Sequence, residues 1–249
     1  MMTSEGEPLI LAMETATRAG SVSLALGERI LASVTGNALS SHSNDLIENI
    51  EKALRDAGRE LSAVEVFAAA VGPGSFTGLR IGLSTTKALA MSMGKTCAGV
   101  STLAAVAAAA GESDRTIALL PAGRGEVFAQ MFAVNNGDVV PLDSATHIAP
   151  QELAARYGEF PRLLWAGEGA HLQIEILRDD ARARDIDFQS IASARAPAGG
   201  WTIAAPQDQL ADAVAKLAMP QWQAGELVNP QDLRADYLRA SDAEIKSHG

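Results

Sequence analysis

The sequence predicts an α/β fold with mixed sheets, arranged in two lobes. Its 249 residues are enough for one large domain or two of ordinary size. The first hundred residues give the order β-β-β-α-β-α-β, and the remainder gives weaker strand and helix patterns that fit a degenerate second lobe. An antiparallel start followed by parallel crossovers is the order of the ribonuclease-H-like module of actin-like (ASKHA) proteins. This fold does not by itself indicate a function.

Three short strands open the chain. Residues 9–14 form an apolar run that ends at Glu14, and a polar turn follows it. Residues 21–26 and 29–35 alternate between apolar and polar side chains, and the Gly27-Glu28 pair between them is a hairpin signal. The pattern therefore predicts an antiparallel meander at the start of the first lobe.

A glycine-rich loop follows the fourth predicted strand. Residues 72–82 contain four glycines, between an apolar run at 66–71 and a helical pattern at 79–93. An earlier helix over 44–57 and a later strand over 96–100 complete the lobe. A strand, a glycine-rich turn and a helix N-terminus together can direct backbone N–H groups at a phosphate or permit close packing.

Residues 8–100 therefore form the predicted first lobe, and residues 101–206 form the second. The polar residues 178–200 are expected on the surface, and we expect a helix over 207–219 to return to the first lobe. The tail, 242–249, is polar. The elements predicted within the second lobe are a helix at 102–110, strands at 116–120 and 126–134, a helix at 150–157 and a strand at 162–166.

Composition excludes several classes of function. The formal net charge is −10, which argues against direct binding of nucleic acid, because such binding depends on Lys and Arg contacts with phosphates. A single cysteine, Cys97, excludes an intramolecular disulfide and fits a reducing compartment. With neither a signal segment nor an apolar stretch of membrane-spanning length, the sequence predicts a cytoplasmic protein without a membrane partner.

The titratable residues predict no metal site. A helical His-x-x-x-His motif places two imidazoles on one face, but the four histidines of this chain are widely separated. Nucleophilic catalysis is also disfavoured, because no histidine is placed by sequence order to activate Ser75 or Ser101.

Specific motifs resemble the TsaB family, also called YeaZ. The gapless run from Gly72 to Gly82, with Phe76 and Arg80, is the most specific match. Glu14 stands where the family usually has aspartate, and Pro121 and Gly123 depart from a usual Asp-Ala-Arg pattern. The other matching pieces, which span nearly the whole chain, are Leu11–Thr17, Gly20–Leu24, Lys87–Ala90, Val100–Leu103, Arg124–Phe128, Gly167–Ala170 and Pro230–Arg239.

The resemblance implies an accessory role in tRNA modification. TsaB is similar in fold to TsaD, the catalytic subunit that transfers threonylcarbamoyl onto adenosine at tRNA position 37. The metal-binding His-x-x-x-His of TsaD falls on Thr102 and Val106 here, so the resemblance implies no catalysis and no metal. It implies a TsaD-type partner, a TsaE-type ATPase in the same assembly, self-association when the partner is absent, and only indirect contact with tRNA.

The resemblance also implies where partner and nucleotide bind. The two first-lobe helices each carry an apolar stripe, which either faces the chain's own sheet or forms a helical bundle with the partner. We expect this interface at Leu46, Ile47, Ile50, Leu54, Leu79, Leu83, Thr86 and Ala90, so a charge at Leu83 or Ala90 should abolish binding without unfolding. The candidate contacts for ATP or ADP, shared with the partner, are Glu14, Thr15, Thr17, Gly72 and Gly74; alternatively, the loop glycines are structural.

Two other functions stay open at this point. The turn after the first strand offers hydroxyls and N–H groups, as in ATP-binding kinases and ATPases of the actin-like superfamily. A second phosphate loop is not recognisable downstream. A stand-alone peptidase is the third and weakest alternative.

Overall fold

The computed structural model describes residues 6–37, 42–190 and 199–238. These residues fall into two compact units. The first unit comprises the described residues of Met1–Thr102 and Asp208–Ala235, and the second comprises those of Leu103–Gln207 and Asp236–Gly249. The predicted tail at 242–249 lies outside the described residues.

The first unit is built on a five-stranded sheet with the order β3-β2-β1-β4-β5. The first three strands form an antiparallel meander, and β4 and β5 add to β1 in parallel. This is the ribonuclease-H-like arrangement that the sequence predicts. The strands are β1 (Leu9–Glu14), β2 (Ser21–Leu26), β3 (Arg29–Thr35), β4 (Val66–Gly72) and β5 (Thr96–Ser101).

Three helices cover this sheet. Helix α1 (His42–Asp56) contacts β2 and β3, helix α2 (Phe76–Met93) contacts β4 and β5, and helix α7 (Leu210–Ala224) contacts β1 and β2. Strand β1 is buried along its whole length, so its alternating side chains meet packed elements on both faces. A short 3₁₀ helix, Leu61–Ala63, precedes β4.

Helix α2 begins three residues earlier than the pattern predicts. Two glycines in its first two turns disfavour a helix by propensity. Ser75 compensates as the N-cap, because its hydroxyl accepts a hydrogen bond from the backbone N–H of Gly78 at 3.2 Å. The helix ends at Gly94, which adopts the left-handed conformation of a glycine C-cap.

The second unit repeats the strand order of the first. Its sheet has the order β11-β12-β10-β6-β7-β8, with β9 also paired to β7. Strands β8, β7 and β6 are antiparallel, and β10 and β12 continue in parallel from β6. The order β8-β7-β6-β10-β12 therefore matches β3-β2-β1-β4-β5. The strands are β6 (Ser113–Gly123), β7 (Glu126–Asn135), β8 (Asp138–Pro141), β9 (Thr146–Ile148), β10 (Arg162–Ala166), β11 (Phe188–Ser190) and β12 (Gly200–Ile203).

The helices of this region are shorter. Three aromatic side chains, Tyr157, Trp165 and Trp201, form the centre of the second core, where Trp165 contacts both others edge-on. The helices are α3 (Thr102–Ala110), α4 (Leu153–Tyr157), α5 (Glu168–Leu172) and α6 (Ile174–Ala183), with a 3₁₀ turn at Pro150–Glu152 before α4.

The prediction of a surface segment at 178–200 holds for most of its described residues, which are exposed or half-buried. Its first residues complete α6, where Leu177 and Ala181 are fully buried, and β11 follows. Residues 191–198 lie outside the described part of the chain. Among the described residues, no helix has both the length and the apolar character needed to cross a membrane.

Candidate functional site

The turn after β1 is organised by the carboxylate of Glu14. This side chain is 1% exposed. Its Oε1 accepts a hydrogen bond from the backbone N–H of Thr17 at 2.7 Å, and its Oε2 accepts one from the Thr17 hydroxyl at 2.6 Å. Charge-assisted bonds of this kind make the turn rigid.

The glycine loop lies directly against this turn. The N–H of Ser75 donates to the carbonyl of Ala16 at 2.8 Å. The hydroxyl of Thr15 donates to the carbonyl of Gly78 at 2.8 Å, in the first turn of α2. The end of β1 and the start of α2 are therefore joined by direct hydrogen bonds.

The loop glycines are required by this close approach. A Cβ atom on Gly78 would lie 1.9 Å from the carbonyl oxygen of Thr15, and one on Gly82 would lie 2.2 Å from the Thr15 hydroxyl oxygen. Gly74 has φ +155°, and a Cβ there would lie 2.7 Å from Ala16. Any side chain at these positions would push α2 away from β1.

The structure brings the predicted nucleotide contacts together at the end of β1. Glu14 and Thr17 bond each other, Thr15 bonds α2, and Gly74 faces Ala16. Gly72 ends β4 opposite Ser101 of β5. Of the two roles that the sequence leaves open for the loop glycines, this geometry favours the structural one. Nucleotide binding here stays a prediction.

The two positions that match the metal ligands of TsaD lie on one face of α3. Thr102 and Val106 are both buried, at 0% and 1% exposure. The Thr102 hydroxyl has no hydrogen-bond partner among the described residues. Val106 offers no ligand atom, so the pair does not fit a metal ion. The described residues also contain no group of three His, Cys, Asp or Glu side chains that could hold one.

The predicted partner stripe requires a correction. Seven of its eight side chains are buried in the first unit, and Ile47 alone is exposed, at 49%. The prediction identified the face of each helix that packs on the chain's own sheet, because that face is the more apolar one. The buried seven are Leu46, Ile50, Leu54, Leu79, Leu83, Thr86 and Ala90.

The opposite face of α2 was missed by the sequence analysis. Ala88 and Met91 are exposed there, while Ile81 and Leu89 are half-buried. Small and apolar side chains also occur on the outer side of this helix, and this was the signal in the sequence. The hydroxyls of Ser84 and Ser92 bond backbone carbonyls of their own helix, and the exposed Arg80 adds a charge on the same side.

A groove runs beside this face, between α1 and α2. Apolar side chains form much of its wall, and charged side chains of both signs lie at its rim. We call it the α1–α2 groove. It is lined by Ile47, Ile50, Glu51, Leu54, Arg55, Gly58, Arg59, Glu60, Leu61 and Leu89.

These features define a class of protein: a ribonuclease-H-like, actin-like chain whose glycine loop is closed by its own packing. The family model described as TsaD, tRNA N6-adenosine threonylcarbamoyltransferase, matches residues 33–199, two thirds of the chain. The chain therefore belongs to this family, and within it to the TsaB (YeaZ) group.

Sequence relatives are named tRNA threonylcarbamoyladenosine biosynthesis protein TsaB. The Escherichia coli protein is 34% identical over 122 residues, which cover 48% of this chain and 52% of that protein. The Bacillus subtilis protein is 32% identical over 139 residues, covering 53% and 59%. The chain thus spans about half the length of the curated relatives it matches.

A solved structure extends the similarity over nearly the whole fold. A Pseudomonas aeruginosa protein, described as an uncharacterized protein with similarity to peptidase YEAZ, superposes with a TM-score of 0.76 at 27% identity. The match covers 93% of this chain and 100% of that one.

Proposed function

We propose that this chain is a non-catalytic subunit of the assembly that makes N6-threonylcarbamoyladenosine in tRNA. Its role is to bind and organise a TsaD-type catalytic subunit. A TsaE-type ATPase joins the same assembly, and tRNA is contacted only indirectly, through the partner. The support is the family membership, together with the names of the TsaB relatives.

The observation that carries the proposal is the chemistry of α3. A catalytic subunit of this family needs ligands one helical turn apart, and this chain offers a buried valine at the second position. Hydrophobic packing of Val106 replaces metal binding there. The chain therefore acts through a partner that keeps the ligands.

The packed glycine loop supports the same role. Backbone N–H groups that cradle a phosphate must be open to it. Here the N–H of Ser75 donates to Ala16, and the N–H of Gly78 donates to the Ser75 hydroxyl. Nucleotide binding is accordingly proposed only as a contact shared with the partner.

We place the partner interface on the outer face of α2 and on the adjoining α1–α2 groove. Small side chains such as Ala88 permit close helix packing, and Met91 and Ile47 supply exposed apolar surface. Two helices of 15 and 18 residues can supply an interface of standard size. In the absence of the TsaD-type subunit, a second copy of this chain occupies the same face.

A binding experiment tests this placement. Ala88→Glu puts a charge on the outer face of α2, and we expect it to weaken binding to the purified TsaD-type subunit at least roughly tenfold. Ala183→Glu is the matched control, because Ala183 is an exposed alanine of α6 in the second unit. Isothermal titration and sedimentation velocity measure affinity and self-association.

Equal binding by both variants, each shown to be folded by circular dichroism, would mean that the interface lies elsewhere.

An ATP titration of the isolated chain tests the alternative that this chain is an actin-like kinase or ATPase. Tight binding with turnover would favour a kinase or ATPase over an accessory subunit.

A further inference from the structure

The edge of the first sheet is covered by the segment that follows α7. Strand β5 pairs with β4 on one side. On the other side, the N–H of Cys97 donates to the carbonyl of Val228 and the N–H of Val228 donates to the carbonyl of Cys97, both at 2.9 Å. An open edge strand exposes such groups to unwanted pairing. We call residues 226–235 the strap.

Leu233 is the one fully buried side chain of the strap, and Val228 and Ala235 pack against the same core only partly buried. Leu233 is 3% exposed and joins the core cluster of the first unit. It fits there because β5 has a glycine beneath it: a Cβ on Gly99 would lie 3.1 Å from Leu233 Cδ1. The flanking residues Asp232 and Arg234 are exposed. The strap therefore has one fully buried apolar anchor in ten residues.

Helix α7 ends independently of the strap. Gly225 adopts φ +71°, and its own N–H donates to the carbonyl of Trp222 at 3.1 Å, a glycine C-cap. The side-chain amide of Gln221 also donates to the carbonyl of Gly99 at 2.8 Å. Removing the strap would thus leave the helix termination and one edge contact in place.

We propose that the strap is a latch that opens locally: Leu233 leaves the core and Val228 leaves β5 while the rest of the first unit stays folded. Segments with few buried apolar contacts are those that open below the global unfolding free energy. Opening frees the backbone edge of β5 and uncovers Cys97. This conformational step is independent of the proposed function.

Cys97 makes the opening measurable. It is the only cysteine of the chain and is 0% exposed. Its burial raises the pKa of the thiol to about 11, so the closed form is nearly unreactive near neutral pH. Modification by an aromatic disulfide reagent therefore reports on opening at one known position.

The test compares two leucine truncations in the full chain across low urea concentrations. Leu233→Ala removes the anchor of the strap, whereas Leu54→Ala removes an equally apolar side chain of the same core cluster from α1. Global stability is measured for each by urea unfolding. We compare the two variants at urea concentrations that give them the same global stability. Under these conditions we expect the rate of Cys97 modification in Leu233→Ala to be at least roughly ten times that in Leu54→Ala.

The urea dependence gives a second measurement that needs no variant. Local opening exposes little surface, so the modification rate of the wild-type chain should be nearly independent of urea at low concentration. A steep rise from zero urea, with both variants reacting in proportion to their global stabilities alone, would show that Cys97 is uncovered only by complete unfolding. The latch would then be ruled out.

Discussion

Thr15, the residue after β1, contacts two glycines of α2. Its carbonyl faces Gly78, and its hydroxyl bonds the same residue and faces Gly82. The sequence therefore indicated that the glycine spacing of the loop matters. It did not indicate that the reason is close packing against Thr15. Sequence pattern alone does not distinguish a phosphate cradle from a helix packed against a neighbouring turn.

Gly78→Ala tests this packing. The added methyl group would lie 1.9 Å from the Thr15 carbonyl oxygen, so α2 must shift. We expect a loss of roughly 3 kcal/mol or more in the free energy of unfolding. Gly199→Ala is the control, because nothing lies within 4 Å of its added atom. An equal effect of both substitutions in urea unfolding would contradict the packing role.

The two faces of α2 give a second prediction at the residue scale. Leu83→Glu buries a charge in the core, and we expect it to destabilise the chain by more than roughly 3 kcal/mol. This reverses the expectation that a charge at Leu83 would disturb binding alone. Thermal unfolding of Leu83→Glu, compared with that of Ala88→Glu, checks this prediction. A stable, folded Leu83→Glu protein would show that the buried face has been misassigned.

The thiol of Cys97 makes stability depend on pH. Burial raises its pKa to about 11 in the folded chain, whereas an unfolded thiol titrates near 8.5. The unfolded state therefore loses its proton first, and stability should fall as pH rises from about 8.5 to 11. We expect the free energy of unfolding, measured by urea unfolding between pH 7.5 and 9.5, to fall less steeply with pH for Cys97→Ala than for the wild-type chain. Equal slopes would mean that the folded thiol titrates normally.

At the scale of elements, helix α7 is capped by a residue distant in sequence. The hydroxyl of Ser21 on β2 accepts a hydrogen bond from the N–H of Ala211 at 2.9 Å, in the first turn of α7. Ser33 of β3 likewise donates to the carboxylate of Asp212. The return of this helix to the first sheet could be anticipated from its pattern, but its cap could not, because N-cap rules are local.

Ser21→Ala should therefore loosen α7. It leaves the buried N–H of Ala211 without its acceptor, and we expect a loss of about 1–2 kcal/mol. Ser92→Ala is the matched control, since that exposed hydroxyl bonds only its own helix, and a change within about 0.5 kcal/mol is expected. Amide exchange in the first turn of α7 should rise for Ser21→Ala alone; unchanged exchange there would exclude the capping role.

Elements with strong local patterns were predicted to the residue. Strands β1, β2, β3 and β10 and helix α3 begin and end as the sequence indicates. Helix α6 was missed because only Leu177 and Ala181 are buried among charged neighbours. Strand β12 was missed because it has only four residues, which are too few to show an alternating pattern, and it follows a stretch rich in Ala, Pro and Gly.

At the scale of the whole molecule, the second sheet repeats the strand order of the first. The sequence shows no recognisable internal repeat, because the pairing order depends on backbone hydrogen bonds between distant strands. In contrast, the family was accessible from the sequence, through the gapless match of the glycine loop. The sequence could not show which face of each helix packs on the sheet and which face is exposed.

We propose that this chain supports a reaction that it does not itself catalyse. Reconstitution tests it most directly: unmodified tRNA, threonine, bicarbonate and ATP are incubated with the purified partner proteins, with and without this chain. Mass spectrometry of the digested tRNA then measures N6-threonylcarbamoyladenosine. Product that requires both this chain and the TsaD-type subunit is the predicted result. Product formed equally well without this chain would contradict the claim.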